Sequence, residues 1–313
     1  MMVYLTSLGV LGGLLGGLAV LLTLAERVLV NYGICQVDVN DEDVVFEADG
    51  GCTLLSALYE NGIYIPSACG GKGTCGFCKV EVDRGGGPVL PTETPFLDRR
   101  EMRRGIRLAC QVKVKENIAV RIPEELLHVQ RFQADVAETE AVTPDIRRLV
   151  FRLVEPDTIA FRPGQYIQIE APSPEGPVFR AYSISSPVQE PRYVELMVRR
   201  IEGGVASTYL HGLENGDRVT FTGPYGEFRM PEDPDTELVC VGGGVGMAPI
   251  KNIILSLYND PANRDRSCWL FFGCRTVHDL LCHDLFAGLA EKHPHFHMVY
   301  AISDPLEPGD EWD

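Results

Sequence analysis

Four cysteines in a characteristic spacing constrain this chain more than any other feature. Cys69, Cys75 and Cys78 follow the pattern Cys-x5-Cys-x2-Cys, and Cys110 comes from a distant segment. The loop that carries the first three is rich in glycine, which lets backbone N–H groups turn towards the sulfurs. Thiolates with this spacing are typical ligands of a [2Fe–2S] cluster. The pattern therefore predicts an electron-transfer domain in which these four cysteines bind iron.

Two other uses of the four cysteines remain as alternatives. A zinc ribbon requires two Cys-x2-Cys knuckles and this chain has one, while a disulfide pair would leave the glycine-rich flanks without a role. The remaining cysteines are scattered singly, most of them in apolar stretches, which favours reduced, buried thiols in a cytosolic compartment. These residues are Cys35, Cys52, Cys240, Cys268, Cys274 and Cys282.

The length and the charge of the chain limit its architecture and its partners. Its 313 residues leave room for two or three domains of about 100 to 200 residues each. The formal net charge is −16. A protein that binds nucleic acid needs a basic face, so this charge argues against nucleic acid as a partner.

The N-terminal segment from Val3 to Ala25 predicts a transmembrane anchor. Its 23 residues carry no charge, and a helix of that length crosses a hydrocarbon core about 30 Å thick. A cleaved signal peptide is the alternative, but the segment lacks a basic beginning. Gly9, Gly13 and Gly17 line one helix face, where small residues allow a second membrane helix to approach.

We expect the anchor and a linker to occupy residues 1–32 and a ferredoxin-like domain to occupy 33–128. Short alternating strands surround one apolar helix at Leu54–Tyr59, an arrangement that predicts a β-grasp fold. A charged helical piece at Asp98–Arg104 is expected to form a solvated face or to meet an acidic partner. The expected strands are Gln36–Asn40, Val44–Phe46, Lys79–Val82 and Cys110–Lys115.

Residues 129–234 predict a β-barrel, because short strands alternate there with Gly/Pro turns. The expected strands are Ala134–Val136, Ile146–Arg152, Gln165–Ile169, Tyr193–Arg200 and Arg218–Phe221. One expected loop carries Arg180, Tyr182 and Ser183, which offer a cation for a phosphate, an aromatic face and a hydroxyl, as a flavin requires. Two further loops are expected at Gly203–Thr208, where free N–H groups open a helix, and at Gly223–Phe228, a tight turn.

Residues 235–313 change to a βαβ pattern that predicts an α/β nucleotide-binding domain. The apolar strand Leu238–Val241 leads through a glycine-rich turn, Gly242–Pro249, into the helix Ile250–Tyr258, so that a helix N-terminus faces a dinucleotide pyrophosphate. A second strand, Trp269–Phe272, ends near Arg275, which is placed to reach a ribose or a phosphate. A helix near Asp279–Leu289, an ordinary His-containing loop and a third strand, His297–Ile302, complete the pattern.

Taken together, these residues resemble the F subunits of the sodium-translocating NADH:quinone oxidoreductases over essentially the whole chain. Besides the cysteine loop, the segments that carry the resemblance are Gly85–Glu93, Arg107–Val112, Tyr166–Pro172, Arg180–Ser183 and Gly242–Pro249. The resemblance implies that NADH gives hydride to FAD and that single electrons then pass through the [2Fe–2S] cluster to other membrane subunits, reaching quinone indirectly. It also implies a single-pass protein of the bacterial inner membrane with its bulk in the cytoplasm.

The resemblance assigns roles to individual residues. Arg180 is expected on the FAD pyrophosphate, Tyr182 against the isoalloxazine and Ser183 near its N5. Three further residues are expected along the same cofactor: Val198, Ser207 and Thr208. The phosphates of NADH are expected at a glycine cradle, and its ribose at Arg275. That cradle consists of Gly243, Gly244 and Gly246.

Two departures from the family limit these expectations. The stretch between Pro172 and Phe179 is short, and the chain stops at Asp313 after three expected strands, so we expect the nucleotide domain to be C-terminally truncated. Hydride transfer by this chain is thereby left open. Two alternatives have the same domain order: a reductase that feeds a soluble oxygenase, which usually has Cys-x4-Cys and no membrane helix, and a tethered electron relay without hydride transfer.

Overall fold

The computed structural model describes residues 12–21, 32–174 and 176–305. The chain forms two compact units: the first reaches to Ile65 and resumes at Gly71–Leu127, and the second takes Pro66–Gly70 and the chain from His128 onward. Residues 12–21 form helix α1. Most of the expected anchor, Val3 to Ala25, lies outside the described residues, and within the described part no helix has the length and apolar character needed to cross a membrane.

The first unit is a mixed five-stranded sheet that packs against one helix. Strands β1 and β5 are parallel neighbours, and the sheet order is β2-β1-β5-β3-β4. Helix α2 begins where the Thr53 hydroxyl accepts a hydrogen bond from the backbone of Ser56, at 3.1 Å. Its Leu54, Ala57 and Leu58 are buried in the core of the unit. The elements are β1 (Ile34–Val39), β2 (Val44–Asp49), α2 (Leu54–Glu60), β3 (Lys79–Arg84), α3 (Arg99–Arg103), β4 (Ile106–Leu108), β5 (Ile118–Arg121) and α4 (Glu124–Leu127).

The predicted strand at Cys110–Lys115 is wrong. Val112 and Val114 are buried, as the alternating pattern requires. Each makes one backbone hydrogen bond to the chain around the start of α2: the Leu54 N–H donates to the Val112 carbonyl, and the Val114 N–H donates to the Cys52 carbonyl. These isolated bonds do not make a ladder, because the neighbouring chain turns into a helix after Thr53. The short strands β4 and β5, on either side of this segment, were not predicted.

The second unit contains a six-stranded antiparallel sheet in the order β10-β7-β6-β11-β8-β9. A bridge between Ile184 and Leu196 joins the end of β9 to β10, so the first and last strands of the order approach each other as in a barrel. Phe132 and Phe221 stack in the core at 5.2 Å. The elements are β6 (Gln130–Ala141), β7 (Ile146–Glu155), β8 (Tyr166–Ala171), β9 (Val178–Ser183), β10 (Tyr193–Arg199), α5 (Val205–His211) and β11 (Arg218–Tyr225).

Two segments that were predicted as loops belong to strands. Arg180, Tyr182 and Ser183 lie on β9, which escapes a period-two pattern because all six of its residues are half-buried. The expected turn at Gly223–Phe228 begins inside β11, which runs on to Tyr225 through a cis peptide bond at Gly223–Pro224.

The same unit continues into a three-stranded parallel sheet with helices between its strands. The sheet order is β12-β13-β14, and each strand runs parallel to its neighbour. The predicted strand–helix order is confirmed, although the last helix starts at His283 instead of Asp279, which ends a short 3₁₀ turn. The elements are β12 (Leu238–Gly243), α6 (Met247–Tyr258), β13 (Cys268–Cys274), α7 (His283–Lys292) and β14 (Phe296–Ile302).

A buried ion pair joins helix α6 to the barrel strands. The Lys251 ammonium on α6 donates to the Glu195 carboxylate on β10, and both residues are less than a tenth exposed. Arg148 and the Ser185 hydroxyl donate to the same carboxylate, at 2.8 and 2.7 Å. Burial alone would raise the pKa of Glu195, but the charge of Lys251 and these hydrogen bonds hold it below its ordinary value. The carboxylate is therefore fully paired in the folded state.

We expect Glu195→Gln to lower the free energy of unfolding by about 3 kcal/mol, because the change leaves Lys251 buried without an opposite charge. Urea denaturation followed by tryptophan fluorescence, to which Trp269 on β13 contributes, measures this. Glu138→Gln is the matched control, since Glu138 pairs with the same Arg148 but is 61% exposed. Because the pKa of Glu195 is lowered on folding, the contribution is present above the unfolded carboxyl pKa and lost as the pH falls through the lowered value. Equal stabilities of the two variants would contradict the assignment.

Candidate functional site

The cysteine loop of the first unit takes a conformation that glycine makes possible. Gly73 and Gly76 have φ values of +70° and +72°, in the region that side chains avoid. A Cβ at Gly73 would lie 2.6 Å from the Gln111 amide nitrogen, and a Cβ at Gly76 would lie 2.7 Å from the Phe96 ring. The loop therefore follows a close path over neighbouring side chains, which only these glycines permit.

Two of the predicted cluster cysteines meet at the end of this loop. The Ala109 N–H donates to the Cys78 carbonyl at 2.8 Å, which ties the chain before Cys110 to Cys78. The pKa of Cys110 is lowered to about 6, first by a hydrogen bond from Cys78 and then, against burial, by one from the Gln111 amide. Cys75 also acts electrostatically on Cys78. The structure thus brings Cys78 and Cys110 together and favours thiolate at Cys110, the form that binds iron.

Cys69 lies in the short segment that belongs to the second unit. Its carbonyl accepts a hydrogen bond from Arg180 at 3.0 Å, and two residues earlier the Ser67 N–H donates to the Gln168 side chain at 2.6 Å. Within the described residues no group of three His, Cys, Asp or Glu side chains is arranged to hold a single metal ion. A [2Fe–2S] cluster takes two thiolates on each iron, so the donor set of four cysteines fits that group.

A buried ion pair joins two segments of the chain that lie between the cysteine loop and Cys110. Arg107 donates to both carboxylate oxygens of Glu93, at 2.9 and 2.6 Å, and to the three carbonyls of Gly86 to Pro88. The backbone N–H groups of Leu90 and Leu108 also donate hydrogen bonds to the Glu93 carboxylate. Burial would raise the pKa of Glu93, but these hydrogen bonds lower it. The two segments singled out by the resemblance, Gly85–Glu93 and Arg107–Val112, are therefore held together by one pair.

The residues expected at the flavin lie on strand β9 of the second unit. Arg180 and Tyr182 share one face of the strand, because residues two apart point the same way. Burial raises the pKa of Tyr182 to about 12, with the charge of Arg180 acting in the opposite direction. Besides Cys69, Arg180 donates to the Phe179 carbonyl at 2.7 Å. A cation, an aromatic face and the Ser183 hydroxyl thus follow one another on a half-buried strand, which fits a flavin nucleotide.

The other three residues expected along FAD have different surroundings. The Val198 side chain is fully buried in the barrel core. The Ser207 hydroxyl closes the turn before α5, accepting from the Ile201 N–H at 3.1 Å and donating to the Gly204 carbonyl at 3.3 Å. Thr208 is exposed on α5. Their roles towards the cofactor stay predictions.

A cleft of about 600 Å³ opens at the carboxyl ends of the three parallel strands. In open parallel sheets this edge is where nucleotides bind. Gly243 and Gly244 line the cleft, whereas Gly246 stands at the N-terminus of α6, exposed. A Cβ at Gly242 would lie 2.5 Å from the Ile250 side chain, so glycine there lets α6 pack directly over β12. Arg275 also lines the cleft, where it pairs with Asp304 at 3.1 Å.

Arg199 is a functional candidate that the sequence analysis missed. It stands at the end of β10 and lines the same cleft, with its guanidinium 2.8 Å from the position that a Cβ on Gly244 would occupy. Asp145 holds its Nε at 3.0 Å, and its NH1 and NH2 groups lie beside Gly244. The pair Arg199-Arg200 at a strand end was the available signal, since successive strand residues point to opposite faces and two adjacent cations therefore place a charge on each face.

Two of the three histidines around the start of β14, His293 and His297, contact aromatic rings. The His293 ring lies 4.5 Å from the ring of Tyr258, and His297 lies 4.3 Å from Trp269. None of the ten cysteines, all of which the structure describes, forms a disulfide; of the six outside the loop pattern, Cys35 and Cys268 are buried and the others are half-buried.

Three family models match consecutive parts of the chain. The 2Fe-2S iron-sulfur cluster binding domain matches residues 37–115, the oxidoreductase FAD-binding domain 133–230, and the oxidoreductase NAD-binding domain 240–312. Among solved structures, the Amycolatopsis cytochrome P450 reductase GcoB is similar, with a TM-score of 0.68, 32% identity and coverage of 88% of this chain and 82% of its own. The ferredoxin reductase in carbazole 1,9a-dioxygenase follows, with a TM-score of 0.62, 25% identity and coverage of 88% and 84%.

The fold and the site define an iron–sulfur flavoprotein reductase with binding domains for a [2Fe–2S] cluster, FAD and NADH. Among curated relatives, the F subunit of the Na(+)-translocating NADH-quinone reductase of Neisseria meningitidis is 36% identical, over 95% of this chain and 82% of the relative. The corresponding protein of Klebsiella pneumoniae is 35% identical, over 93% and 81%. The chain therefore belongs to the family of F subunits of Na(+)-translocating NADH-quinone reductases.

We expect Arg199→Gln to raise the KM for NADH about tenfold with a smaller effect on kcat, because the change removes one charge-assisted contact to the nucleotide phosphates. Steady-state reduction of ferricyanide by NADH measures both constants. Arg200→Gln is the matched control, since Arg200 is the next residue and does not line the cleft. An unchanged KM in Arg199→Gln, or an equal rise in both variants, would show that Arg199 does not contact the nucleotide.

Proposed function

We propose that the chain is the electron-input subunit of a membrane-bound, sodium-translocating NADH:quinone reductase. NADH is oxidised in the cleft of the second unit, and the electrons leave through the cysteine loop to other membrane subunits, which reduce quinone. The observation that carries the proposal is the occurrence, in one chain, of a cysteine loop, a flavin strand and a nucleotide cleft, with 36% identity to the meningococcal protein over 95% of the sequence.

The residues of the nucleotide cleft bind and orient the dinucleotide. The glycine turn before α6 lets the pyrophosphate approach the backbone N–H groups at the helix N-terminus, where the helix dipole favours negative charge. Arg199 and Arg275 line the cleft beside that turn and supply positive charge for the phosphates and the ribose. Their partners Asp145 and Asp304 hold the two guanidinium groups in place before the ligand arrives. This arrangement fixes which end of NADH points towards the flavin strand.

The residues of the flavin strand hold FAD beside the dinucleotide. Arg180 offers a guanidinium for the FAD pyrophosphate, Tyr182 an aromatic face and Ser183 a hydroxyl at the ring edge. When bound, FAD accepts a hydride as two electrons and releases them one at a time, which a [2Fe–2S] cluster requires. Cys69, Cys75, Cys78 and Cys110 are the proposed ligands of that cluster.

The segment Val3–Ala25 is the proposed membrane anchor, with the two units on the cytoplasmic side of the bacterial inner membrane. Its 23 uncharged residues and its glycine face suit a single span that packs against a partner helix. In this arrangement the two units supply the redox sites, and the translocation path belongs to the partner subunits.

A reductase that feeds a soluble oxygenase is the second candidate. The similarity to a cytochrome P450 reductase and to a dioxygenase ferredoxin reductase favours it, since both structures cover more than four fifths of this chain. The Cys-x5-Cys spacing and the uncharged N-terminal segment favour the membrane complex instead. The two candidates differ in whether the N-terminal segment is required.

Deleting residues 1–25 separates the two candidates. We expect the shortened chain to keep NADH:ferricyanide activity within about twofold but to lose NADH:quinone activity in membranes that contain the partner subunits. A chain in which residues 3–25 are replaced by an unrelated apolar span of equal length is the control, and we expect it to recover part of the quinone activity because anchoring raises the local concentration. Full quinone activity of the shortened chain would contradict the membrane assignment.

A further inference from the structure

The side chain of Gln111 occupies a special position at the cysteine loop. Its amide nitrogen lies 3.4 Å from the Sγ of Cys110, within the range of an N–H···S hydrogen bond. Its amide oxygen accepts a hydrogen bond from the Thr92 hydroxyl at 2.8 Å. Both contacts lie inside the first unit, and neither belongs to the flavin strand or to the nucleotide cleft.

The two contacts of the Gln111 side chain are consistent with one orientation of its amide. With the amide oxygen engaged by the Thr92 hydroxyl, the NH2 group of Gln111 is the end that faces Cys110. The opposite orientation would place the lone pairs of the amide oxygen against a thiolate, which is repulsive. In the favoured orientation the NH2 group donates to the sulfur while the Thr92 hydroxyl holds the amide oxygen.

The surrounding backbone keeps the amide in this position. Glu93, the neighbour of Thr92, is locked by the buried pair with Arg107, so the Thr92 backbone is held close to the chain that carries Cys110 and Gln111. On the other side the amide packs on Gly73, where any side chain would displace it. The Thr92–Gln111–Cys110 contact is thus built into the fold of the loop.

We propose that Gln111 tunes the reduction potential of the cluster through its hydrogen bond to Cys110, and that Thr92 positions the Gln111 amide for this purpose. The inference rests on the proposed ligand set. Reduction adds one electron to the cluster and breaks no bond, so the negative charge on the ligand sulfurs grows. A donor aimed at one sulfur stabilises the reduced form and raises the potential.

The test is an EPR-monitored redox titration of the full-length, detergent-solubilised holoprotein with dithionite as the reductant. We expect Gln111→Leu to lower the ratio of reduced to oxidised cluster about tenfold at a fixed solution potential, which corresponds to a reduction potential lower by about 59 mV for one electron. Thr92→Val, which replaces the hydroxyl by a methyl group, is expected to lower the ratio of reduced to oxidised cluster about threefold.

Thr94→Val is the matched control. Thr94 is exposed on the same loop and donates to the Pro91 carbonyl at 2.9 Å, with no contact to Gln111 among its described hydrogen bonds. We expect its cluster to keep the wild-type potential. The flavin potential, read in the same titrations, is expected to stay constant in all three variants, which a general loss of folding would not allow.

Wild-type potentials in both Gln111→Leu and Thr92→Val, with full EPR signals, would overturn the proposal. If Gln111→Leu does not assemble a cluster, Thr92→Val decides alone, and its wild-type potential would overturn the proposal too. Cys110→Ala tests the ligand set separately, because a retained [2Fe–2S] signal in that variant would refute the ligand assignment. The Gln111 and Thr92 variants, by contrast, are expected to keep the signal and to show it at a lower reduction potential.

Discussion

The buried ion pair between Glu93 and Arg107 is the constraint on which the iron–sulfur part of the molecule depends. The Arg107 guanidinium donates hydrogen bonds to both oxygens of the Glu93 carboxylate and to three backbone carbonyls. Both charges are therefore buried with hydrogen-bond partners. This pair holds the Gly85–Glu93 segment to the chain that leads into Cys110. The position of the Cys110 sulfur, a proposed cluster ligand, and of the amide that faces it follows from that connection. The chain thereby fixes a cysteine loop that has little regular secondary structure of its own.

In the second unit, the buried ion pair between Lys251 and Glu195 has a similar structural role. Helix α6 packs on a three-stranded sheet with its N-terminus at the proposed nucleotide cleft, and Lys251 ties its first turns to Glu195 on the barrel. On the same barrel strand, Arg199 reaches the cleft at Gly244. One strand therefore contributes both to the attachment of the helix and to the ligand site. This shared strand explains how the barrel and the nucleotide sheet form one compact unit, and why a charge lost at Glu195 is expected to weaken the unit more than a charge lost at the surface.

The sequence predicted those features that local spacing encodes. The Cys69–Cys78 spacing, the glycine turn before α6 and each strand-to-helix step of the nucleotide sheet are set within short stretches of chain, where covalent spacing and periodicity act directly. Strand β9 was missed because its half-buried residues show no alternation, and Cys110–Lys115 was wrongly predicted as a strand because alternation reports burial and not pairing. Arg199 and Gln111 depend on side-chain contacts with Gly244 and Thr92, which lie 45 and 19 residues away in the chain. No local pattern contains such contacts.

The central claim is that electrons from NADH pass through FAD to the cysteine-bound cluster within this chain. Anaerobic addition of NADH to the detergent-solubilised holoprotein tests it most directly, with flavin absorbance and the EPR signal of the reduced cluster followed together. The account predicts that the flavin bleaches and that the cluster signal then appears, whereas in Cys75→Ala the flavin bleaches and no cluster signal follows. Reduction of both centres by dithionite but not by NADH would contradict the account and would leave the chain as an electron relay without hydride transfer.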